Sequence, residues 1–342
     1  MRRYLITLVL LVGIVFVVSS MADLQNIVET LKRGDVRFLL LAVALQLLWV
    51  VNVAALLRAV YRTLGIEETL VNLLPVSTAA IFANVVVPTA GMSGAALFIA
   101  EARRRNYPPG RAAAAGALCV LFDYAAFICV LVLGLTVLIR RDNLTILEVM
   151  ASLIFVLIAG VLAIMLFVGV RSPLRLGNLL AALARFVNRW LYPFLRRDFL
   201  LEERAHQFAA EIAEGLHEFR SGPANLVWPF MLALSKMALM ILVLWATFMA
   251  FAVPHSVGTI VGGFSLFYLF FIVSPTPSGV GFLEGGMPFA LQSLRVSLAN
   301  ATVITLAYRG VTFWLPLLLG MVAFRWVGAG KSSEGGPSLP SG

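Results

Sequence analysis

The sequence predicts an all-α integral membrane protein with about six spanning helices and two re-entrant, broken-helix hairpins in an inverted repeat. Three observations carry this: the composition, the lengths of the apolar runs, and a matched pair of Pro/Gly interruptions. Of 342 residues, 61% are hydrophobic and 13% are charged, with a mean hydropathy of +0.96. Soluble domains are roughly 45–50% apolar and about 25% charged. A soluble single-core protein, a disordered chain and a collagen-like chain are all excluded. The formal net charge of +9 sits in short islands of arginine between long apolar runs. That pattern suits an anionic bilayer leaflet and gives no expectation of a nucleic-acid partner.

Six stretches approach or exceed the roughly 20 apolar residues that a bilayer crossing needs. They are Tyr4–Ser20, Phe38–Val60, Ala112–Ile139, Ile146–Val170, Ala224–Ala252 and Ala301–Trp326. The first is short and follows Arg2 and Arg3, so a cleaved signal peptide is an alternative there. Two further apolar stretches are interrupted. Val71–Ala100 breaks at Val87-Pro88-Thr89-Ala90-Gly91-Met92-Ser93-Gly94, and Val257–Val296 breaks at Ser274-Pro275-Thr276-Pro277-Ser278-Gly279-Val280-Gly281. Proline removes a backbone donor and glycine permits a bend, so each stretch should form two half-helices. Irregular backbone at membrane depth is tolerated where protein buries it or where it lines a wet cavity.

Charge sets an expected topology. Arg58 and Arg62 precede the first break, and Arg103, Arg104, Arg105 and Arg111 follow it. With both flanks cytoplasmic, that stretch enters and leaves on one side. The arginine-rich loop Arg171–Gly222 falls on the same side, while the second break, flanked by Arg295 alone, enters from outside. Both termini are then cytoplasmic. Within 171–223, leucines at helical spacing opposite Arg175, Arg185 and Arg189 predict amphipathic helices, either lying in the interface or packing beneath the bundle. The domain division is 1–327 for the membrane domain and 328–342 for a Gly/Ser/Pro-rich tail expected to be disordered.

The two breaks resemble each other. Pro88-Thr89 and Gly94 correspond to Pro275-Thr276 and Gly281 at a constant offset of 187. Paired broken helices entering from opposite faces are the sequence sign of a transporter with its site near the midplane. The expected path residues are Pro88, Thr89, Gly91, Ser93, Gly94, Pro275, Thr276, Ser278, Gly279 and Gly281, together with Glu284, Tyr308 and Arg309. Backbone N–H groups at the half-helix N-termini would cradle an anion such as a phosphate.

Four ionisable residues fall deep in apolar sequence: Asp123, Lys236, Glu284 and Arg309. A central charge costs about 2.5–3.5 kcal/mol on insertion scales, so each needs a partner or a wet cavity. Their formal charges sum to zero, and structural ion pairs account for them as well as function does. Glu284 belongs to the first turn of a half-helix, where the helix dipole favours a carboxylate.

Other chemistries find little support. Cys119 and Cys129 lie about 15 Å apart along one helix, too far for a disulfide. His206, His217 and His255 lack metal-ligand spacing, and no metal or cofactor is expected. No Walker loop, His-Glu-x-x-His or Gly-x-Ser-x-Gly occurs, and Ser93 and Ser278 have no histidine partner in the membrane. An enzyme is not expected.

Pro88–Gly94, Pro275–Gly285 and Tyr308-Arg309-Gly310-Val311-Thr312-Phe313-Trp314-Leu315-Pro316 resemble the lysylphosphatidylglycerol synthase transmembrane-domain family, over roughly Phe38 to Trp326. That family includes stand-alone flippase-like proteins and the flippase part of the lysyl-lipid synthase. Its first motif often continues Gly-Gly-Glu with an arginine three residues on, whereas Ala95 and Phe98 stand here. Glu284 is therefore the one motif carboxylate. The chain ends about where synthase members continue into an aminoacyl-transferase domain, so lysyl transfer is not expected of it. The resemblance implies a multi-pass protein of a prokaryotic cytoplasmic (inner) membrane, acting as a translocase of an anionic phospholipid or isoprenoid-linked lipid. The alternative is a non-transporting accessory subunit that partners a lipid or envelope-biosynthesis enzyme. A membrane enzyme acting on a lipid phosphate ranks last, for want of a catalytic group.

Overall fold

In the computed structural model the described residues are 29–86, 92–140 except 106 and 108, 146–171, 178, and 224–329 except 275. Every regular element among them is helical. In chain order these are α1 (Val36–Thr63), α2 (Leu70–Val86), α3 (Met92–Arg104), α4 (Pro109–Arg140), α5 (Ile146–Arg171), α6 (Ala224–Ala250), α7 (Val257–Val273), α8 (Phe282–Ser293), α9 (Leu298–Arg309) and α10 (Leu315–Ala329). A 3₁₀ turn, Pro277–Gly279, precedes α8, and a π-turn, Gly310–Trp314, joins α9 to α10.

Four helical segments among the described residues are long and apolar enough to cross a membrane: Val36–Thr63, Gly110–Arg140, Asn225–Ala250 and Leu298–Arg325. Helix α5, at 26 residues, has the length as well. Leu153, Leu157 and Ile164 on α5 are 67%, 66% and 62% exposed, so its large apolar side chains point outward, as lipid rewards and water does not. The expected first span, Tyr4–Ser20, lies outside the described residues. So do the amphipathic helices of 171–223, apart from residues 171 and 178, and residues 330–342 of the tail. Gly328 and Ala329, expected in the tail, belong to α10. Glycine at a helix end costs at most about 1 kcal/mol, too little to stop the helix.

Each interrupted stretch carries two helices, α2 and α3 in the first and α7 and α8 in the second; residues 87–91 of the first break lie outside the described residues. Helices α2 and α7 are each 17 residues long, and both ends differ by the same 187 positions. Beyond the breaks the register shifts: α3 starts at Met92 and α8 at Phe282, a difference of 190. Ser93 and Gly94, expected within the break, are already helical. No proline follows Pro88 before Met92, and one helical glycine is cheap. In the second break, by contrast, Ser278, Gly279 and Gly281 all have positive φ, which holds the helix off until Phe282.

The chain divides into two compact units, with α1, α4, α5, α6 and α10 contributing residues to both. The first comprises Met1–Trp49, Val130–Ser152 and Ala238–Pro316. Its core includes Leu244, Phe248, Phe264, Leu283, Leu291 and Ile304, all essentially inaccessible. Ser265 of α7 donates to the Val130 carbonyl of α4 at 3.2 Å, a close approach that needs glycine at 134, where a Cβ would collide with the Ser265 hydroxyl. Ser256 and Ser297 cap α7 and α9, accepting from the Thr259 and Asn300 N–H groups.

The second unit comprises Val50–Cys129, Leu153–Met237 and Leu317–Gly342. Phe127 and Phe155 pack edge to face at 4.9 Å, and Phe82 of α2 meets Phe324 of α10 at 5.6 Å. Glu68 and Arg105 close the base of the α2–α3 pair. Arg105 donates to Glu68 Oε1 and to Glu101 Oε1, both at 2.7 Å, while Arg58 Nε donates to the Glu68 carbonyl at 3.1 Å. With Arg104, which donates to Glu101 at 3.1 Å, three of the arginines flanking the first break are therefore tied to the protein itself. Burial raises the Glu68 carboxyl, but hydrogen bonds from Asn72, Arg105 and the Thr69 N–H, with the charge of Arg105, hold it below the usual carboxylate range.

Candidate functional site at the second helix break

The break that ends α7 is a turn built by short polar side chains. The Thr276 N–H donates to Ser274 Oγ at 3.2 Å, and the two hydroxyls lie 2.9 Å apart. The Gly279 N–H donates to the Thr276 carbonyl at 3.1 Å. Ser278 then takes φ +52 and Gly279 φ +73, conformations that cost L-residues about 1–2 kcal/mol. A Cβ at Gly279 would also stand 2.5 Å from Leu283 Cδ1, so glycine is required there twice over. Ser278 carries the strain without that freedom, which leaves its carbonyl available to an outside donor.

That donor is Arg309. Its Nη2 reaches the Ser278 carbonyl at 3.1 Å, and its Nε reaches Glu284 Oε1 at 2.7 Å. The other carboxylate oxygen of Glu284 accepts from the Gly281 N–H at 2.8 Å. Both oxygens of Glu284 are thus satisfied, one by a cation and one by the N-terminus of its own helix, where the dipole also favours negative charge. Arg309 is 3% exposed and stacks over the Phe313 ring at 4.3 Å.

The ring stands four residues on, within the π-turn Gly310–Trp314. Pro316 cannot donate to the Thr312 carbonyl, and its ring would push against that oxygen, so the preceding turn widens. Thr312 instead donates its hydroxyl to the Tyr308 carbonyl at 2.8 Å. The motif Tyr308–Pro316 therefore encodes a local widening of the helix beside the buried arginine.

The structure brings together Ser278, Gly281, Glu284 and Arg309, with Thr276 and Gly279 shaping the turn. Tyr308 faces elsewhere: its hydroxyl points to Met240 Sδ at 3.8 Å, and its ring packs against Phe267. Ser93 and Gly94 lie in the first turn of α3. Pro88, Thr89, Gly91 and Pro275 lie outside the described residues. Asp123 and Lys236 pair with each other in the second unit at 2.5 Å. The expected anion cradle at the α8 N-terminus is modified in one respect, since Glu284 engages one of its N–H groups. Phe313 was missed by sequence reasoning, although its spacing of four from Arg309 was a usable sign. Asn52 and Ser235, polar side chains inside apolar helices, were passed over for the same lack of a visible partner.

Long apolar helices, half-helices flanking a strained turn and a buried ion pair beside that turn define a multi-pass helical membrane protein. The chain matches the model of the lysylphosphatidylglycerol synthase TM region family over residues 4–320, and it belongs to that family. Membership places it among membrane proteins of lipid or cell-envelope metabolism. Comparison with curated proteins gives no match.

Proposed function

We propose that this protein translocates an anionic phospholipid or an isoprenoid-linked lipid across the cytoplasmic membrane, with the head group passing the second helix break. The observation that carries the reading is the Glu284–Arg309 pair, buried at the strained turn 276–281 in otherwise apolar sequence. Arg309 is the cation there, and it is bound to a carboxylate. A lipid phosphate presents the same kind of anionic, multi-acceptor oxygen group as Glu284 and would compete for the guanidinium. The strained turn supplies a backbone that changes conformation at small cost. The re-entrant entry of both broken helices, one from each face, belongs to this proposal.

The test is head-group flipping by the purified protein in liposomes over a panel of anionic and isoprenoid-linked lipids. Glu284→Gln should slow flipping by about tenfold, the effect of one lost interaction of about 1.4 kcal/mol, while the protein stays monodisperse and helical. Wild-type flipping that Glu284→Gln leaves unchanged removes Glu284 from the path. Absence of wild-type flipping, with a lipid enzyme co-purifying, would favour an accessory subunit.

A further inference from the structure

A second polar cluster lies within the second unit, where α1, α4 and α6 each contribute mid-helix residues. Lys236 Nζ of α6 donates to Asp123 Oδ2 of α4 at 2.5 Å. Next to Lys236, Ser235 accepts from Asn52 Nδ2 of α1 at 2.5 Å and donates to the Leu232 carbonyl at 2.9 Å. Two acceptor oxygens in this cluster, Asp123 Oδ1 and Asn52 Oδ1, are buried with no hydrogen-bond partner among the described residues.

The contrast with Glu284 is informative. In the same protein, Glu284 has a donor on each oxygen, as a buried ion pair needs if it is to recover its desolvation cost. Asp123 has a cation on one oxygen and, among the described residues, no partner on the other. A buried acceptor left open is expensive, and a proton is the smallest species that supplies the missing donor. The ionisable groups around it are Lys236 from α6, Cys119 one turn earlier on α4, Tyr124 beside it, and Tyr61 of α1, which faces Cys119. Asn52 and Ser235 are neutral.

We propose that Asp123 is a proton-binding site whose occupancy is coupled to the conformation of the helices that carry Asn52 and Lys236. A proton taken from water onto Oδ1 converts the carboxylate to a carboxylic acid, and the charge of the pair rises from zero to +1. Lys236 then loses the counter-charge of Asp123, which is unfavourable in a low-dielectric setting. The protonated protein therefore favours an arrangement in which Lys236 is solvated or paired anew. Proton binding and helix rearrangement are thereby linked, each biasing the other by the same free energy. Taken with the translocation reading, on which this last step rests, the proton gradient becomes the energy source.

Two measurements test it. In nanodiscs, infrared difference spectra on acidification should show, over the bands of the other carboxylic acids, a carbonyl component that is shared by the wild type and Glu284→Gln and missing from Asp123→Asn. Asp123→Glu, which keeps the acid, should restore a shifted band and guards against misfolding of the Asn variant. An acid band unchanged in a folded Asp123→Asn protein overturns the proposal. So does a spectral response to sodium at constant pH that Asp123→Asn abolishes, which would make the ligand a metal cation. In liposomes, an imposed proton gradient should accelerate wild-type flipping about tenfold, and in Asp123→Asn the ratio of rates with and without the gradient should fall to one. A ratio that persists in that variant also overturns it. If the wild type moves no lipid, the translocation reading fails, and the infrared titration still decides whether Asp123 binds the proton.

Discussion

Arg309 and Glu284, twenty-five residues apart, meet at 2.7 Å between Nε and Oε1, and the same guanidinium holds the Ser278 carbonyl at 3.1 Å. One side chain at the end of α9 thus fixes both the first turn of α8 and the strained residue before it. Arg309→Met should destabilise the protein by about 3–5 kcal/mol, because it leaves Glu284 without its counter-charge. Glu284→Gln with Arg309→Met should recover much of that loss, since neither charge remains to be compensated. Denaturant unfolding in detergent measures both. A double variant as unstable as Arg309→Met alone would mean that the arginine acts by packing on Phe313 and not through the pair.

Gly279 separates backbone strain from side-chain collision. Its φ of +73 makes any L-residue unfavourable by about 1–2 kcal/mol, and a Cβ would press on Leu283, a fully buried side chain of α8. Gly279→Ala should therefore cost more than the dihedral penalty alone. It should also loosen Arg309, whose carbonyl partner is the preceding residue. Thermal unfolding of Gly279→Ala in the wild-type and Arg309→Met backgrounds checks this: the glycine effect should be smaller in the second. Equal losses in both would show that the turn and the arginine are not coupled.

The spans were legible because bilayer crossing imposes a one-dimensional requirement, a run of apolar residues, and the sequence displays it directly. The expected Phe38–Val60 became Val36–Thr63, and Ala112–Ile139 became Pro109–Arg140. The 187-residue offset was legible from two Pro-Thr pairs, and it extends to both ends of α2 and α7. It failed beyond the breaks because helix restart depends on which residues take positive φ, and a composition of Gly, Ser and Pro does not specify that. Pairings were less accessible. Asn52 and Ser235 are 183 residues apart, and nothing in either helix alone says that they touch. The π-turn has a sequence cause in Pro316, and Phe313 stands four residues after Arg309, a helical spacing that offered the stacking of the two as one of several possible contacts.

The Glu68–Arg105 contact supplies a pH dependence with a definite sign. Glu68 titrates below the usual carboxylate range once burial is outweighed by its donors. Its contribution to stability is therefore complete above that range and is lost as pH falls through the lowered value. Arg105 is held above its ordinary range, against the desolvation that lowers it, by its hydrogen bonds to Glu101 and Glu68 and by their charges. Its contribution persists at all lower pH and is lost only in strong alkali. Acidification should thus destabilise the wild type by about 1 kcal/mol through this contact, the scale of a partly solvated pair. In Glu68→Gln that part of the acid loss should vanish, giving a flatter midpoint-against-pH curve. An acid limb identical to that of the wild type would assign the loss to other carboxylates.

Two glycines in different helices should respond to the same substitution with opposite sign. A Cβ at Gly320 of α10 would lie 2.7 Å from the Thr78 carbonyl oxygen and 2.7 Å from Phe82 Cβ on α2. These are backbone and near-backbone atoms, which cannot swing aside. Small residues allow this kind of approach between helices in a membrane, where packing replaces the hydrophobic effect as the source of association. Gly320→Ala should therefore cost about 1–3 kcal/mol as α10 is forced away from α2. Gly160 of α5 has nothing among the described residues within 4 Å of its would-be Cβ. Alanine there gains helix propensity without collision, so Gly160→Ala should stabilise by up to about 1 kcal/mol. Parallel thermal unfolding of the two variants in one detergent gives the comparison. Destabilisation by both would mean that α5 packs through Gly160 against a surface of another copy or of lipid-bound protein. Stabilisation by both would show that α10 and α2 separate at little cost.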